Sequence, residues 1–445
     1  MKDFLEKHFT ISKRNTKIST EILAGFTTFA TMAYILAVQP AIMGDAGMNT
    51  LGVFAATALI SGLVTIAMGF YSNTPLALAP GMGTNLLMAY VVVAGGIATW
   101  QISLGMMFIS GIAFLILSIF NVREKIADFL PKSIKFGLSG ALGIMLFQIA
   151  IANSNLLLPE NAGWNDFSLP EVKLTLIGLA ITLFLNFIKI RINGREYKVR
   201  GAMLLSIIIT TLIGIPMGLV SFQAGSGLNQ TLSAFGDVAF KLDIAGALRP
   251  EYIGFIVIFF IGDFCSTMGT ALGTGHKAGL MDKDGNMPML GKIFLVDAAG
   301  TIAGTLTGVT VVTSYIESAA GIEAGGRTGL TSLVTGLMFI VSIILAPLFI
   351  AIPTAATAPV LIVIGISMMQ ELRTVSFEMI DWTPVAIMMG FTAFADLGTG
   401  ITVGLISDII IRICAYAFDK ENRKGNLPGI PTIIFAALMC LQYVF

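Results

Sequence analysis

Between Leu51 and Phe70 the chain runs for 20 residues without a charged side chain. A helix of that length, rising about 1.5 Å per residue, covers a hydrocarbon layer of ~30 Å. Inside such a layer backbone N–H and C=O groups find no water, so the chain must satisfy them itself. Runs of this kind recur throughout. Apolar segments fall at 21–43, 51–70, 76–93, 98–120, 133–152, 171–189, 202–220, 252–273, 289–309, 311–321, 329–351, 354–369, 383–396 and 399–417, with a last one at 430–445. Charged residues make up only 12% of the chain and mean hydropathy is +0.87, against about 25% charged in a soluble domain. The expectation is an all-α integral membrane protein with a lipid bilayer around it.

The first 14 segments give an even number of transmembrane spans, and the final 16 residues either cross obliquely or lie in the interface. Basic residues test this count. Lys13, Arg14 and Lys17 precede the first span. Arg123, Lys125, Lys132 and Lys135 follow the fourth, and Lys189, Arg191, Arg195, Lys198 and Arg200 the sixth. His276, Lys277 and Lys283 follow the eighth, Arg327 the tenth, and Lys420, Arg423 and Lys424 the fourteenth. Each cluster falls after an even number of spans. The positive-inside rule then puts the N-terminus, including the polar segment 1–20, in the cytoplasm, and the long polar stretch 221–250 outside. The first apolar run is long enough to be a span rather than a cleaved leader. The expected location is the cell membrane.

Two segments read as broken. The third begins Ser72-Asn-Thr-Pro-Leu-Ala-Leu-Ala-Pro-Gly-Met-Gly-Thr-Asn85, whose prolines and glycines oppose a continuous helix. The tenth, Thr310 to Gly321, is too short to cross as a helix and is rich in Thr, Ser and Gly. Each is the third member of a set of seven. Interrupted segments at matching positions of two halves are the mark of an inverted-repeat transporter, here 7+7.

Chemistry narrows to a few side chains. Glu317 lies in the tenth segment and Asp263 12 residues into the eighth, counted from Glu251. An ionised group at that depth costs several kcal/mol unless it meets water, a partner or a ligand, so both are functional candidates. Glu317 precedes Ser-Ala-Ala-Gly, a half-helix whose N-terminus would offer free N–H groups beside the carboxylate. Asp263 and Thr267 share a helix face. Asn85 reads either as an amide that recognises a heterocycle edge or as a helix N-cap. Asp297 and Asp396 read as structural, Asp297 within reach of the interface and Asp396 in a turn. Glu323 and Arg327, spaced i, i+4, should pair, and Arg412 has Asp408 one turn before it. Both histidines, His8 and His276, lie outside the apolar runs, so a proton relay at depth must use carboxylates. Cys265, Cys414 and Cys440 read as small buried hydrophobes. No Walker loop, HExxH, CxxC or dinucleotide glycine fingerprint is present, which points away from ATP-driven transport, metal sites, cofactors and enzymatic function. Zero formal net charge selects no nucleic acid.

At these residues the chain resembles a known family. Ala79-Pro-Gly-Met-Gly-Thr-Asn85, Gly262-Asp-Phe-Cys-Ser-Thr-Met-Gly-Thr270 and Thr313-Ser-Tyr-Ile-Glu-Ser-Ala-Ala-Gly321 followed by Gly325-Gly-Arg-Thr-Gly-Leu330 are similar to motifs of the nucleobase–cation symporter superfamily (nucleobase/ascorbate transporter-like), in its adenine/guanine/hypoxanthine permease branch. Thr20-Glu-Ile-Leu-Ala-Gly-Phe-Thr-Thr-Phe-Ala-Thr-Met-Ala-Tyr34 fits as well. The resemblance implies a 7+7 fold with a core domain (21–120 and 252–351) and a gate domain (133–220 and 354–417), assembled as a homodimer. It implies proton-coupled purine uptake, with Glu317 and Asp263 binding the base and coupling the proton. Asn85 would support the base, and Tyr315 and Thr267 would line the pocket. Two departures stand out. Ser266 replaces a second acid in the eighth span, and Met389-Gly-Phe-Thr-Ala-Phe394 lacks a proline that would break the thirteenth. The alternatives are a uracil or xanthine permease, a same-fold anion transporter, which two pocket acids would disfavour, and a membrane-embedded enzyme.

Overall fold

The computed structural model describes residues 2–120, 131–156, 165–192, 195–221, 227–282, 287–395, 397–418 and 427–441. Asp396 and the basic residues Arg123, Lys125, Lys283, Lys420, Arg423 and Lys424 lie outside them, as do residues 442–445.

Every expected apolar segment carries an element. A short α1 (Lys2–Phe9) precedes the first span, which forms as α2 (Ile18–Met32) and α3 (Ile35–Asp45), interrupted at Ala33–Tyr34. α4 (Thr50–Ser72) starts where the Asn49 side chain accepts from Leu51 and Gly52 N–H, and it ends at Asn73 in the left-handed region. The third segment is not one helix. It is an extended β1 (Leu78–Pro80), a short α5 (Met82–Leu86) and a π-helical continuation, Leu87–Val93. Then follow α6 (Trp100–Ile119), α7 (Lys132–Asn153), α8 (Pro170–Phe187), a hairpin of β2 (Lys189–Ile192) and β3 (Arg195–Lys198), and α9 (Ala202–Gly214). The polar stretch after it contains α10 (Leu228–Val238), docked on α4, and a four-residue α11 (Ile244–Ala247).

In the second half come α12 (Ile253–Ala278), α13 (Leu290–Leu306), an extended β4 (Val312–Ser314), a six-residue α14 (Ser318–Glu323) and α15 (Gly329–Val341). α16 (Ala346–Ile350), α17 (Thr354–Met369), α18 (Met379–Phe394), α19 (Leu397–Phe418) and α20 (Ile430–Leu441) complete it. α18 runs unbroken through Met389–Phe394, as the missing proline suggests. The described part of α20 has 12 residues, about 18 Å of helix.

Among the described residues, eight helical stretches are long and apolar enough to cross a membrane, and four more apolar helices are shorter. The chain is a multi-pass membrane protein. Packing sorts the helices into two interleaved groups. α2, α3, α4, α6, α12, α13 and α15 pack on one another, and α7, α8, α9, α17, α18 and α19 form a second set.

Small residues set the closest approaches, as expected where lipid removes the hydrophobic drive between helices. A Cβ on Gly329 would stand 1.9 Å from the Gly69 carbonyl oxygen, and one on Gly336 2.6 Å from that of Gly62, so α4 and α15 cross backbone to backbone. At one end of this crossing Arg14 donates to the carbonyls of Asn73 and Arg327, each at 2.8 Å. The N-terminal segment, the end of α4 and the loop before α15 therefore share one face, as the basic-residue pattern requires. Beside them Glu21, fully buried, accepts from Arg327 and Thr328 N–H and from the Thr331 hydroxyl, capping α15. The sequence reading passed over this acid, whose only signal is its place in the first turn of an apolar helix.

Two ion-pair expectations are tested here. Arg412 Nε donates to both Asp408 oxygens at 3.0 Å, as expected, and Nη2 reaches Asp381 at 2.9 Å. Glu323 does not pair with Arg327. It meets Lys277 at 3.2 Å, while Arg327 donates to the carbonyls of Ile322 and Gly326. The reason is local. α14 ends at Glu323 and the chain turns at Gly325 with φ +106°, so helical i, i+4 spacing does not extend across the pair.

Candidate functional site

The two broken segments meet. β1 and β4 pair antiparallel, with Leu78 opposite Ser314, Ala79 opposite Thr313 and Pro80 opposite Val312. A two-stranded ribbon has two free edges, and every unpaired N–H or C=O there is costly in a buried setting. Hydroxyls from surrounding helices fill these positions. Thr65 of α4 both accepts from Leu78 N–H (2.9 Å) and donates to its carbonyl (3.1 Å). Thr301 of α13 accepts from Val312 N–H (3.2 Å), Thr267 of α12 from Ser314 N–H (3.1 Å), and Ser318 from Ala77 N–H (3.0 Å). The Thr and Ser residues that mark these apolar helices thus support the extended backbone.

Three polar groups surround the crossing. Glu317 immediately precedes α14 and is half-buried. Its Oε1 accepts from the Tyr34 hydroxyl at 2.8 Å, so the interruption between α2 and α3 delivers the donor that holds the acid. The expected free N–H groups at α14 are absent. Ser318, Ala319 and Ala320 N–H bond to the carbonyls of Tyr315, Ile316 and Glu317. The tight turn into so short a helix uses its own carbonyls, which leaves the carboxylate as the acceptor offered to a ligand.

Asn85 lies within α5, whose N-cap is Gly81, so the capping reading is corrected. Its amide donates to Gln39 Oε1 and its oxygen accepts from the Thr310 hydroxyl. Gln39 in turn donates to Thr310 at 3.5 Å, and all three residues are fully buried. Asn85 is therefore braced between the first span and the tenth segment. Gln39 escaped the sequence reading, although a lone amide beside Pro40 in an apolar run was available as a signal.

Asp263 and Asp297 form the third group. Asp263 Oδ2 accepts from Thr301 at 2.9 Å, and Asp297 Oδ1 from Thr267 at 2.6 Å. The bonds cross: Thr267 lies four residues after Asp263 on α12 and Thr301 four after Asp297 on α13, so each helix's threonine holds the other helix's acid and brings the two carboxyls together. Asp297 is fully buried inside the protein, because α13 turns this residue toward α12. Tyr315 and Thr267 are committed to the crossing as well: Tyr315 donates its hydroxyl to the Pro80 carbonyl, and Thr267 lies 2.8 Å from the Thr313 hydroxyl.

One face of α12 is open. Ser266, Gly269 and Gly273 are exposed, and a Cβ on either glycine would meet nothing within 4 Å. α14, the segment that Glu317 begins, packs against α12. Among the described residues, no three His, Cys, Asp or Glu side chains cluster to hold a metal.

The model of the permease family matches residues 19–405. An adenine permease of Escherichia coli strain K12, AdeP, is 34% identical over 99% of this chain and 96% of its own. A guanine/hypoxanthine permease of Bacillus subtilis strain 168, PbuO, is 32% identical over 98% of this chain and 99% of its own. Among solved structures, the transmembrane domain of a cyanobacterial bicarbonate transporter, BicA, superposes with a TM-score of 0.61 at 16% identity, covering 88% of this chain and 97% of that one. That likeness concerns the fold. The chain belongs to the permease family, the nucleobase/ascorbate transporter family that its motifs resemble, and is a transporter rather than an enzyme.

Proposed function

We propose that this permease takes up purine nucleobases (adenine, guanine or hypoxanthine) together with protons across the cell membrane, with its N-terminus in the cytoplasm and as a homodimer. The observation that carries the reading is Glu317: a half-buried carboxylate oriented by Tyr34, at the start of a short helix packed on α12, in a chain whose relatives are named for adenine and for guanine and hypoxanthine. A purine edge presents N–H donors, and a carboxylate accepts two of them at fixed spacing. Asp263 takes part in base binding and proton coupling together with Glu317, Asn85 supports the site, and Tyr315 and Thr267 line it through the β1–β4 crossing.

Transport would proceed as the first group of helices, a core domain carrying the crossing, moves against the second, a gate domain. An anion transporter shares the fold, but an anion would meet acids at this site. Uptake of labelled hypoxanthine and adenine into proteoliposomes tests the reading. Accumulation driven by an inward proton gradient and abolished by a protonophore is expected. Accumulation of uracil or xanthine in preference to both purines would point to another branch, and a requirement for sodium with no response to pH would remove proton coupling.

A further inference from the structure

We infer that Asp263 and Asp297 together form one proton-binding site, with a single proton held between their carboxyls. This rests on the reading of the chain as a proton-coupled permease and adds Asp297 to it.

Both side chains are buried, Asp263 at 1% exposure and Asp297 at 0%. Each spends one oxygen on a threonine hydroxyl, Asp263 Oδ2 on Thr301 and Asp297 Oδ1 on Thr267. Ser314 Oγ also reaches Asp297 Oδ1, at 3.5 Å. Among the described residues Asp263 Oδ1 and Asp297 Oδ2 have no hydrogen-bond partner, and the crossed threonine bonds bring the two carboxyls together. Ionised carboxylates only accept. Two acceptors meeting in a site closed to water are satisfied by one proton, which makes a short, charge-assisted O–H···O bond.

Among the described residues neither acid is in an ion pair. Other titratable residues on the surrounding elements are Glu251 and Tyr252 before α12, Cys265, His276 and Lys277 along it, Lys292 in α13, Tyr71 in α4, Glu323 in α14 and Cys440 in α20; Tyr315 and Glu317 follow β4. Lys277 pairs with Glu323 at 3.2 Å, and Lys292 lies 5.6 Å over the Tyr71 ring, so both are engaged away from the acids.

The pair is wired to the candidate substrate site. Thr301 and Thr267, which donate to the two acids, also accept from Val312 and Ser314 N–H of β4. Thr301 additionally lies 3.1 Å from the Val312 carbonyl. A hydroxyl has one hydrogen, so it serves either the carboxylate or the strand. Loading the proton forms one O–H bond on a carboxyl, and releasing it to water breaks that bond. Release leaves two carboxylates, each drawing fully on its own threonine hydrogen, so Thr301 turns from the Val312 carbonyl and the strand ending three residues before Glu317 loosens.

Infrared difference spectra of the purified full-length protein between acid and alkaline pH, without substrate, test the site directly. We expect a protonated-carboxyl C=O band that Asp263→Asn and Asp297→Asn each abolish, because either amide supplies a permanent N–H where the shared proton stood. Glu317→Gln should leave that band in place. A band that survives in either aspartate variant overturns the shared site. In proteoliposomes Asp297→Asn should lose accumulation of labelled hypoxanthine under a proton gradient, and its residual uptake should no longer vary with pH. Wild-type pH dependence in this variant also overturns the proposal. If Asp297→Asn does not fold, Asp263→Asn and Asp297→Glu carry the same test, the latter retaining a shifted band. Failure of the wild-type protein to bind any purine would sink the substrate reading while leaving the infrared result to judge the proton site.

Discussion

Tyr34 donates its hydroxyl to Glu317 at 2.8 Å across 283 residues of sequence. The donor exists because the first span is interrupted there, and the acceptor because the tenth segment is extended and then turns. Glu317→Gln keeps the shape and turns an acceptor into a donor. Loss of a charged hydrogen bond costs about 1.5–3 kcal/mol, a roughly ten- to hundredfold weaker Kd for hypoxanthine. Tyr34→Phe should weaken binding less, since the acid keeps its acceptors and loses only its orienting donor. Equilibrium binding to the purified protein measures both; wild-type affinity in Glu317→Gln would move the site elsewhere.

Gln39, Asn85 and Thr310 satisfy one another in a buried cluster. Gln39→Ala leaves a buried amide and hydroxyl short of partners, at roughly 1–3 kcal/mol. Asn85→Ala should cost a similar amount, and the double variant less than the sum, with a coupling of about 0.5–3 kcal/mol. Thermal unfolding in detergent gives the three values. Strict additivity would mean that the network is not cooperative.

Gly329 lets α15 touch the α4 backbone, where an added Cβ would stand 1.9 Å from the Gly69 oxygen. Gly329→Ala should destabilise by about 1–3 kcal/mol through forced separation of the helices. Gly236→Ala, where a Cβ meets nothing within 4 Å, should unfold at the wild-type temperature or slightly above it. Equal melting points for the two variants would refute the close-contact account.

Ser266 stands on the open face of α12 rather than against a neighbouring helix. A carboxylate there adds acceptors beside the proposed base site, so Ser266→Asp should change the order in which unlabelled bases compete with labelled hypoxanthine, favouring those richer in N–H groups. An unchanged order would take Ser266 out of the substrate path.

Much of this was legible from the chain. Runs such as Leu51–Phe70 have to be helical where no water reaches the backbone, which is a local requirement and therefore visible locally. The proline and glycine run after Thr74 and the Thr/Ser run after Thr310 announced extended backbone for the same reason, and the motifs around Asn85, Asp263 and Glu317 announced the family. What the chain did not disclose were the meetings. Asp297 read as structural, and only the packing of α13 on α12 set it beside Asp263. Asn85 read as a possible cap until Gln39 and Thr310 enclosed it. Glu323 looked like the partner of Arg327 until Lys277 took it. Hydropathy and backbone satisfaction act over one or two turns, so sequence spacing records them. The choice of hydrogen-bond partner in a low-dielectric interior depends on which helices approach and at what rotation. Glycine contacts such as Gly69 with Gly329 set that approach between segments hundreds of residues apart, and only the tertiary structure brings them together.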